Sequence, residues 1–355
     1  LFYDKEEDLQ KTRWQQPALF TLEYAMVQYL TSLGVKPTAM AGHSLGELTA
    51  LCLAGVYSFE DGFRLVNKRA ICMDKACSIN MDPGVMMACD APMEVINDLR
   101  KNKDKVYITN INSPNQIVIG GDTDQVKEVG AKLKEMGHRS TLLRVSMAFH
   151  SPIMACIHDE LEEFVDGIEF HPPQIPVISN TTMEPFTDNP DEIRKTVMAH
   201  LESCVNWMPN VKTLWNDYGI RLFVEVGPRE ILSNLILDTI NEAECVQTCL
   251  PSAETVIFRN AIGQLYAKGN LNLGTADAPE VFASPGVTYQ APKTQQLLQN
   301  SSAKASQTVI SNPIERIVHR EIGSFVYQSF GRFIRPSLME SIRRAVDPSC
   351  SEADV

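Results

Sequence analysis

The sequence predicts an α/β fold, a parallel-sheet core into which a smaller α+β subdomain is inserted. Three observations predict it. A turn, Gly42-His43-Ser44-Leu45-Gly46, lies between a short apolar run suited to a buried strand and a run with helical apolar spacing. Residues 82–149 then change character, with short strand-like runs alternating with polar helices. The initial pattern, longer helices separated by single short strands, resumes after residue 150. A strand–GxSxG–helix junction in such a pattern is that of a hydrolase-like core carrying an insertion.

The elements follow in order. Residues 17–33 are apolar on nearly every side, with Pro17 suited to a first helical position and Gly34 to the end, which predicts a buried helix. Thr38-Ala39-Met40-Ala41, after Pro37, predicts a buried strand. Leu48, Leu51 and Cys52 describe a helix up to Gly55. Ser58, with Asp61 three residues on, has the form of a helix cap, and that helix is expected to reach about Ala76. Within 82–149 the runs VMMACD, KVYITNI, QIVIGG and STLLRVS predict strands, and 123–136 a helix. Asn112-Ser113-Pro114-Asn115 and Gly120-Gly121-Asp122 supply turns. The β-α-β-β-α-β rhythm is ferredoxin-like. Helices near 152–165 and 191–202, strands at 177–179 and 222–226, and a helix from Gly227-Pro228 to about Ile240 complete the core.

The expected domains are therefore a first core part at 1–81, the insertion at 82–149 and a second core part at 150–274. Residues 285–312 are rich in Pro, Ser, Gln, Thr, Ala and Lys, so 275–312 is expected to be a flexible linker. Ile314, Ile317, Val318, Ile322, Phe325 and Val326 recur at helical spacing and predict a helical tail over 313–355.

Composition excludes several classes. A hydrophobic fraction of 44% is that of an ordinary globular core. The formal net charge is −12 with no sustained Lys/Arg cluster, which argues against nucleic acid. An acidic total still permits local Arg or Lys to hold an anionic substrate. The nine cysteines are scattered, and the closest pairs, Cys72/Cys77 and Cys245/Cys249, form no CxxC knuckle. They predict reduced thiols in a cytoplasmic protein, with no metal site. No run of about eighteen apolar residues exists to span a membrane. The opening LFYDKEEDLQ is acidic, unlike a signal peptide, and without an initial Met it suggests a piece of a longer chain.

The turn at 42–46 carries the chemistry. A sharp strand-to-helix turn excludes bulky neighbours, hence the expectation that both glycines are needed, and it lifts the Ser44 hydroxyl toward solvent. The helix N-terminus favours negative charge, and the Leu45 N–H is a candidate oxyanion donor. Taken alone, the motif can also be a Gly-rich turn that merely ends a strand. A serine nucleophile needs a base. His43 adjoins Ser44, but successive side chains on a turn diverge. His150 lies at the end of a strand and just before a Pro-started helix, where a loop residue would overhang a site. A lone His there can equally be a surface or capping residue. His150, His158 and Cys156 lack a fourth ligand for a metal.

Gly42-His43-Ser44-Leu45-Gly46-Glu47 resembles the GHSxGE of the malonyl-CoA:acyl carrier protein transacylase family, which includes acyltransferase domains of polyketide and polyunsaturated fatty acid synthases. Ala148-Phe149-His150-Ser151 is similar to its AFHS, and Asn112-Ser113-Pro114 with Gln116-Ile117-Val118-Ile119-Gly120-Gly121 to its insertion. Val224-Glu225-Val226-Gly227-Pro228 resembles its EVGP, and Leu265-Tyr266 with Gly269 the end of the domain. The resemblance covers about 14–274.

It implies a Ser44–His150 dyad without an acidic third member. Ser44 would attack the thioester of malonyl-CoA while His150 takes its proton. The phosphopantetheine thiol of an acyl carrier protein would then collect the malonyl group. In the family a main-chain carbonyl orients the base, and Ala199-His200-Leu201 with Val205-Asn206-Trp207 resembles that segment, which places the carbonyl on His200. Arg69 stands where the family binds the malonyl carboxylate, a task that suits a guanidinium fork. Ala70 follows it where Gly is usual, and on sequence alone Arg69 can also be a helix residue paired at the surface. Gln16 resembles the Gln of a QPA motif lining the pocket, with a helix-capping role as the other reading. Phe149 replaces the Ser of methylmalonyl-selective members and, with Leu45, points to malonyl, while Met147 replaces a His common in malonyl members. Glu47 is expected to support the helix start. No cofactor is expected in the domain itself; the implied partners are the carrier protein, the coenzyme A thioester and neighbouring synthase domains. The family's upstream GQG motif, which completes the oxyanion hole, is absent from the 43 residues before Ser44, again as in a piece of a multifunctional synthase. The competing readings are an α/β serine hydrolase (a thioesterase) and a truncated non-catalytic docking fragment. Nothing between 44 and 150 announces the acid that the hydrolase needs.

Overall fold

The computed structural model describes residues 11–79, 81–250 and 254–270; the expected linker and helical tail lie outside the described residues. The first element of the described residues is α1 (Thr12–Ser32), which ends at Leu33 with Gly34 following at φ 93°. The helix starts upstream of Pro17, which is therefore internal rather than at the first position. A proline there forfeits one backbone bond to the preceding turn. Burial of Gln16, Pro17 and Phe20 on one side outweighs that loss. Next come β1 (Met40–Ala41), α2 (Leu45–Leu53) and α3 (Phe59–Ile79). The cap of α3 is as the sequence predicts, with the Asp61 N–H donating to Ser58 Oγ at 3.0 Å and Ser58 Oγ donating to the Asp61 carboxylate at 2.7 Å. The helix runs past Ala76 to Ile79. Helices α1 and α3 pack along each other, with Tyr24 and Phe59 rings 4.4 Å apart.

The inserted subdomain contains β2 (Val85–Cys89), α4 (Met93–Arg100), β3 (Val106–Ser113), β4 (Gln116–Gly121), α5 (Thr123–Glu135) and β5 (Ser140–Leu142). Its sheet is antiparallel in the order β3-β4-β2-β5, the ferredoxin-like arrangement. Alternation along the strands buries both faces. Met87, Ile117 and Ile119 point to α4 and α5, where they meet Ile96, Val126 and Leu133. Met86 and Val118 point the other way, against Ala148, Phe149 and Ile153. The run STLLRVS forms a strand only to Leu142, because Leu142 and Val145 are exposed.

After the insertion, the helix expected near 152–165 divides into a 3-10 turn, Pro152–Ile157, and α6 (His158–Val165). Then follow β6 (Val177–Ile178), α7 (Pro190–Ala199), α8 (Trp207–Asn216), β7 (Leu222–Pro228), α9 (Ile231–Thr239), β8 (Glu244–Cys249) and α10 (Glu254–Ala267). Strand β6 runs parallel to β1, with Ala41 opposite Ile178, and β8 runs parallel to β7, with Val224 opposite Val246. The fold is thus α/β, a parallel-sheet core with a ferredoxin-like insertion. Strand β8 was not expected, because Glu-Cys-Val-Gln-Thr-Cys has no apolar run and buries only Val246 and Thr248. Helices α8 and α10 were also not among the expected elements. One further link positions the site. Val205 exchanges backbone bonds of 2.9 Å with Thr109 and Ile111, tying the segment after α7 to β3.

Leu133 is fully buried in the subdomain core, whereas Leu142 is 44% exposed on the edge strand. Leu133→Ala should lower the stability measured by urea unfolding by about 2–5 kcal/mol. Leu142→Ala should change it by no more than about 0.5 kcal/mol. Equal effects would contradict this core assignment.

Candidate active site

The elbow is built by close approach. A Cβ on Gly42 would lie 1.9 Å from the carbonyl carbon of Gly46 and 2.1 Å from the Glu47 nitrogen, so only glycine fits there. Gly46 differs: a Cβ there meets no atom within 4 Å among the described residues, so only one of the two glycines is sterically required. Ser44 is the N-cap of α2, at φ 52° and ψ −111°. That conformation is strained for a residue with a side chain. It is held by bonds from the Gly46 N–H to the His43 carbonyl (3.1 Å) and from the Glu47 N–H to the Ser44 carbonyl (3.0 Å). Asn180 adds two more, accepting from the Ser44 N–H at 2.9 Å and donating to the Gly42 carbonyl at 2.8 Å. Leu45 is the first residue of α2, so its N–H belongs to the helix end whose donors have no intrahelical acceptor.

His150 reaches Ser44 from the far side of the insertion. Its backbone is also left-handed, at φ 58°. The turn is fixed by the Phe149 N–H on the Met147 carbonyl (3.0 Å) and by Ser151 Oγ donating to the Ala148 carbonyl (2.6 Å). His150 Nε2 lies 2.7 Å from Ser44 Oγ, and Nδ1 lies 3.1 Å from the His200 carbonyl oxygen. A carbonyl only accepts, so Nδ1 carries the proton and Nε2 offers its lone pair to the serine hydroxyl. His150 is 5% exposed. Burial, and secondarily the charge of Arg69, bring its pKa down to about 3, which keeps the ring neutral near pH 7. The ring of His200 is buried too and is held well below the ordinary histidine value, mainly by that burial.

Two further histidines, His43 and His158, are engaged elsewhere. His43 Nε2 bonds Asn112 Oδ1 at 2.8 Å, and its ring lies 6.0 Å from that of Trp207. His158 Nδ1 is 2.9 Å from the Glu202 carboxylate. Among the described residues no group of three or more His, Cys, Asp or Glu could hold a metal ion.

A buried cation stands beside the dyad. Arg69, on α3, is 4% exposed, and its Nη1 donates to Gln16 Oε1. Gln16 Nε2 in turn points at Met73 Sδ, 3.2 Å away. Gln16 thus lies inside α1 as a buried partner of Arg69, and the capping reading does not hold. Arg64, by contrast, is mostly exposed and pairs with Asp61. Burial lowers the Arg69 pKa to about 10, against the pull of Glu47, and leaves the guanidinium charged. Glu47 is fully buried; its Oε2 accepts from the Asn180 N–H, and its Oε1 has no hydrogen-bond partner among the described residues. Burial pushes its pKa up to about 8, opposed by the Asn180 N–H and by Arg69. The expectation that Glu47 merely supports the helix start misses this buried position next to the cation. Phe149 is half-buried against Met86, Val118 and Ala148, whereas Met147 is completely buried in the core. Glu225 of the EVGP motif accepts from the Leu232 and Ser233 N–H groups at 2.9 and 2.7 Å and so caps α9.

Sequence reasoning missed Asn180 altogether. The available signal was its place just after β6, since functional residues collect at the carboxyl ends of parallel strands. Together the groups form a half-buried serine next to a neutral base, a helix N-terminus for developing negative charge, and a fixed cation for an anionic substrate. Nucleophilic acyl transfer needs the first three, and recognition of a carboxylate needs the last.

Comparison with known proteins agrees with that chemistry. The chain is 37% identical over 235 residues to the spectinabilin polyketide synthase system protein NorB of Streptomyces orinoci, covering 66% of this chain but 11% of that protein. It is 33% identical over 242 residues to the malonyl CoA-acyl carrier protein transacylase of Bacillus subtilis (strain 168), covering 66% of this chain and 75% of that one. The crystal structure of the acyltransferase domain from the second module of the salinomycin polyketide synthase superposes with a TM-score of 0.70 at 30% identity, over 75% of this chain and 62% of that one. Residues 2–264 match the family profile of the acyl transferase domain, and the chain belongs to that family.

Proposed function

We propose that this chain is an acyl carrier protein S-malonyltransferase. It moves a malonyl group from coenzyme A to the phosphopantetheine thiol of an acyl carrier protein through an ester on Ser44, in fatty acid or polyketide biosynthesis. The observation that carries the reading is the 2.7 Å contact between Ser44 Oγ and the neutral Nε2 of His150, with the buried Arg69 close enough to depress the pKa of that ring.

In the first half-reaction Ser44 Oγ attacks the thioester carbon and its proton passes to His150 Nε2. The Leu45 N–H faces the oxyanion as one donor of the hole. Collapse of the tetrahedral adduct breaks the C–S bond, and His150 returns the proton to the departing thiolate. In the second half-reaction the carrier thiol gives its proton to His150 and attacks the ester, and Ser44 leaves as the hydroxyl. The His200 carbonyl fixes the tautomer through both halves. The malonyl carboxylate, paired with Arg69, offsets the lesser of the influences that lower the His150 pKa, burial being the first and the Arg69 charge the second.

The hydrolase reading is weaker on one specific point. The partner of His150 Nδ1 is a carbonyl, not the carboxylate that orients the base in a Ser-His-Asp triad. Phe149, Leu45 and Gln16 are proposed to shape the acyl pocket and to favour malonyl over methylmalonyl. Met147 is completely buried. The boundaries at 81/82 and 149/150 are proposed as the division between core and insertion, and neighbouring domains of a longer synthase as partners. A cytoplasmic setting is proposed from the scattered spacing of the cysteines in the sequence; no helix among the described residues is long and apolar enough to cross a membrane.

Incubation with malonyl-CoA should add one malonyl mass to the peptide holding Ser44, and Ser44→Ala should lose that adduct. Offered together, malonyl-CoA and methylmalonyl-CoA should label in a ratio of about 10–200 to one. A labelled Ser44→Ala protein would end the nucleophile assignment, and equal labelling by the two thioesters would end the selectivity reading.

Arg69→Ala should slow acylation by malonyl-CoA about 10- to 100-fold, the value of a charge-assisted bond of roughly 1.5–3 kcal/mol. Acylation by acetyl-CoA, which has no carboxylate, should change far less. Arg69→Lys should restore only part of the loss, because a point charge does not reproduce the fork. An unchanged malonyl-to-acetyl ratio in Arg69→Ala would reduce Arg69 to a structural helix residue.

A further inference from the structure

We propose that Asn180 is a positioning residue that holds the Ser44 elbow and the segment orienting His150 in one register. The residue is fully buried and follows β6 by two positions. Its side chain is committed to the elbow, with Oδ1 accepting from the Ser44 N–H at 2.9 Å and Nδ2 donating to the Gly42 carbonyl at 2.8 Å. Its backbone N–H donates to the Glu47 carboxylate. Its backbone carbonyl accepts from the Asn206 N–H at 3.2 Å and from Asn206 Nδ2 at 2.7 Å. Asn206 lies six residues beyond His200, whose carbonyl orients the base. All four hydrogen-bonding groups of Asn180 therefore engage one side of the dyad or the other.

The chemistry selects an amide at this position. The Ser44 N–H can only donate and the Gly42 carbonyl can only accept, so the two atoms of the side chain must be one acceptor and one donor. This also fixes the amide orientation, since the flipped form would satisfy neither partner. Ser44 sits at φ 52°, outside the range a side-chain-bearing residue adopts freely. As the N-cap its N–H has no helical acceptor, and without Oδ1 it would lose its partner in this half-buried turn. The elbow would relax and Oγ would move relative to Nε2. A displacement of about 1 Å between reacting groups costs on the order of 100-fold in rate.

The inference rests on Ser44 being the nucleophile, so the test separates the two claims by using a small fluorophosphonate that reacts with an activated serine without needing the acyl pocket. The full chain is compared with Asn180→Ala and Asn180→Asp, each checked for folding by circular dichroism and thermal unfolding. Asn180→Ala should be labelled about 100-fold more slowly. Its turnover with malonyl-CoA should fall similarly while KM stays within about threefold, because Arg69 and Gln16 are untouched. Asn180→Asp retains the acceptor for the Ser44 N–H but regains a donor for Gly42 only when protonated, so its rate relative to the parent should climb as pH falls. A folded Asn180→Ala chain labelled within about threefold of the parent overturns the proposal. If that variant does not fold, a pH-independent ratio for Asn180→Asp overturns it instead. A parent chain that resists the probe removes the nucleophile reading itself, and this inference with it.

Discussion

A serine hydroxyl 2.7 Å from the unprotonated nitrogen of a buried imidazole is the contact around which the rest of this structure is arranged. Both of its residues have left-handed backbones, Ser44 at φ 52° and His150 at φ 58°. Each such residue costs about 1–3 kcal/mol, and it persists only where its surroundings over-determine it. The elbow is over-determined by the collision that any side chain on Gly42 would cause with the first turn of α2, and by the two bonds from Asn180. His150 is over-determined by the turn that Ser151 closes and by the His200 carbonyl. The ferredoxin-like insertion contributes as well, because its inner face packs on Ala148 and Phe149 immediately before the base.

Electrostatics follow from burial. The rings of His43, His150 and His200 all have depressed pKa values with burial as the first cause, so the site holds neutral imidazoles around one cation. Orientation of His150 by a carbonyl rather than a carboxylate is consistent with this. A carbonyl selects the tautomer without adding a negative charge that would raise the pKa of the ring. Glu47, buried on the side of Arg69 and Asn180, has its pKa pushed up to about 8 by burial, so near neutral pH it is mostly protonated and leaves the guanidinium charge uncancelled. An anionic acyl group entering this site meets a positive charge already desolvated and fixed by Gln16.

Elements coded by local pattern were legible in the sequence. The elbow is a strand, a glycine turn and a helix in direct succession. The insertion announces itself through alternating strands and the turns at Asn112 and Gly120. The cap of α3 is written in Ser58 and Asp61. Features that depend on distant contacts were not legible. Asn180 is 136 positions from Ser44 along the chain, and nothing in its neighbourhood marks an amide that will clamp a turn. Glu47 looks like an ordinary first-turn acid until the packing of α3 and β6 buries it. Pro17 looks like a helix start because the intrinsic preference of proline is local, whereas the burial that lets α1 begin upstream of it is tertiary. The motif pattern predicts that both glycines are needed, but it does not distinguish Gly42, which close approach forces, from Gly46, which has open space around it.

The central claim is that His150 is a neutral base whose Nε2 lone pair faces Ser44. Nitrogen-15 NMR of the histidine-labelled chain between pH 6 and 8 tests it most directly, because each ring nitrogen reports its own protonation. The account predicts a His150 ring protonated at Nδ1 only across that range, since its pKa of about 3 lies below the ordinary 6.5 and the proton is gained only as pH falls toward the lower value. A doubly protonated ring at pH 6, or a neutral ring carrying its proton on Nε2, would contradict it.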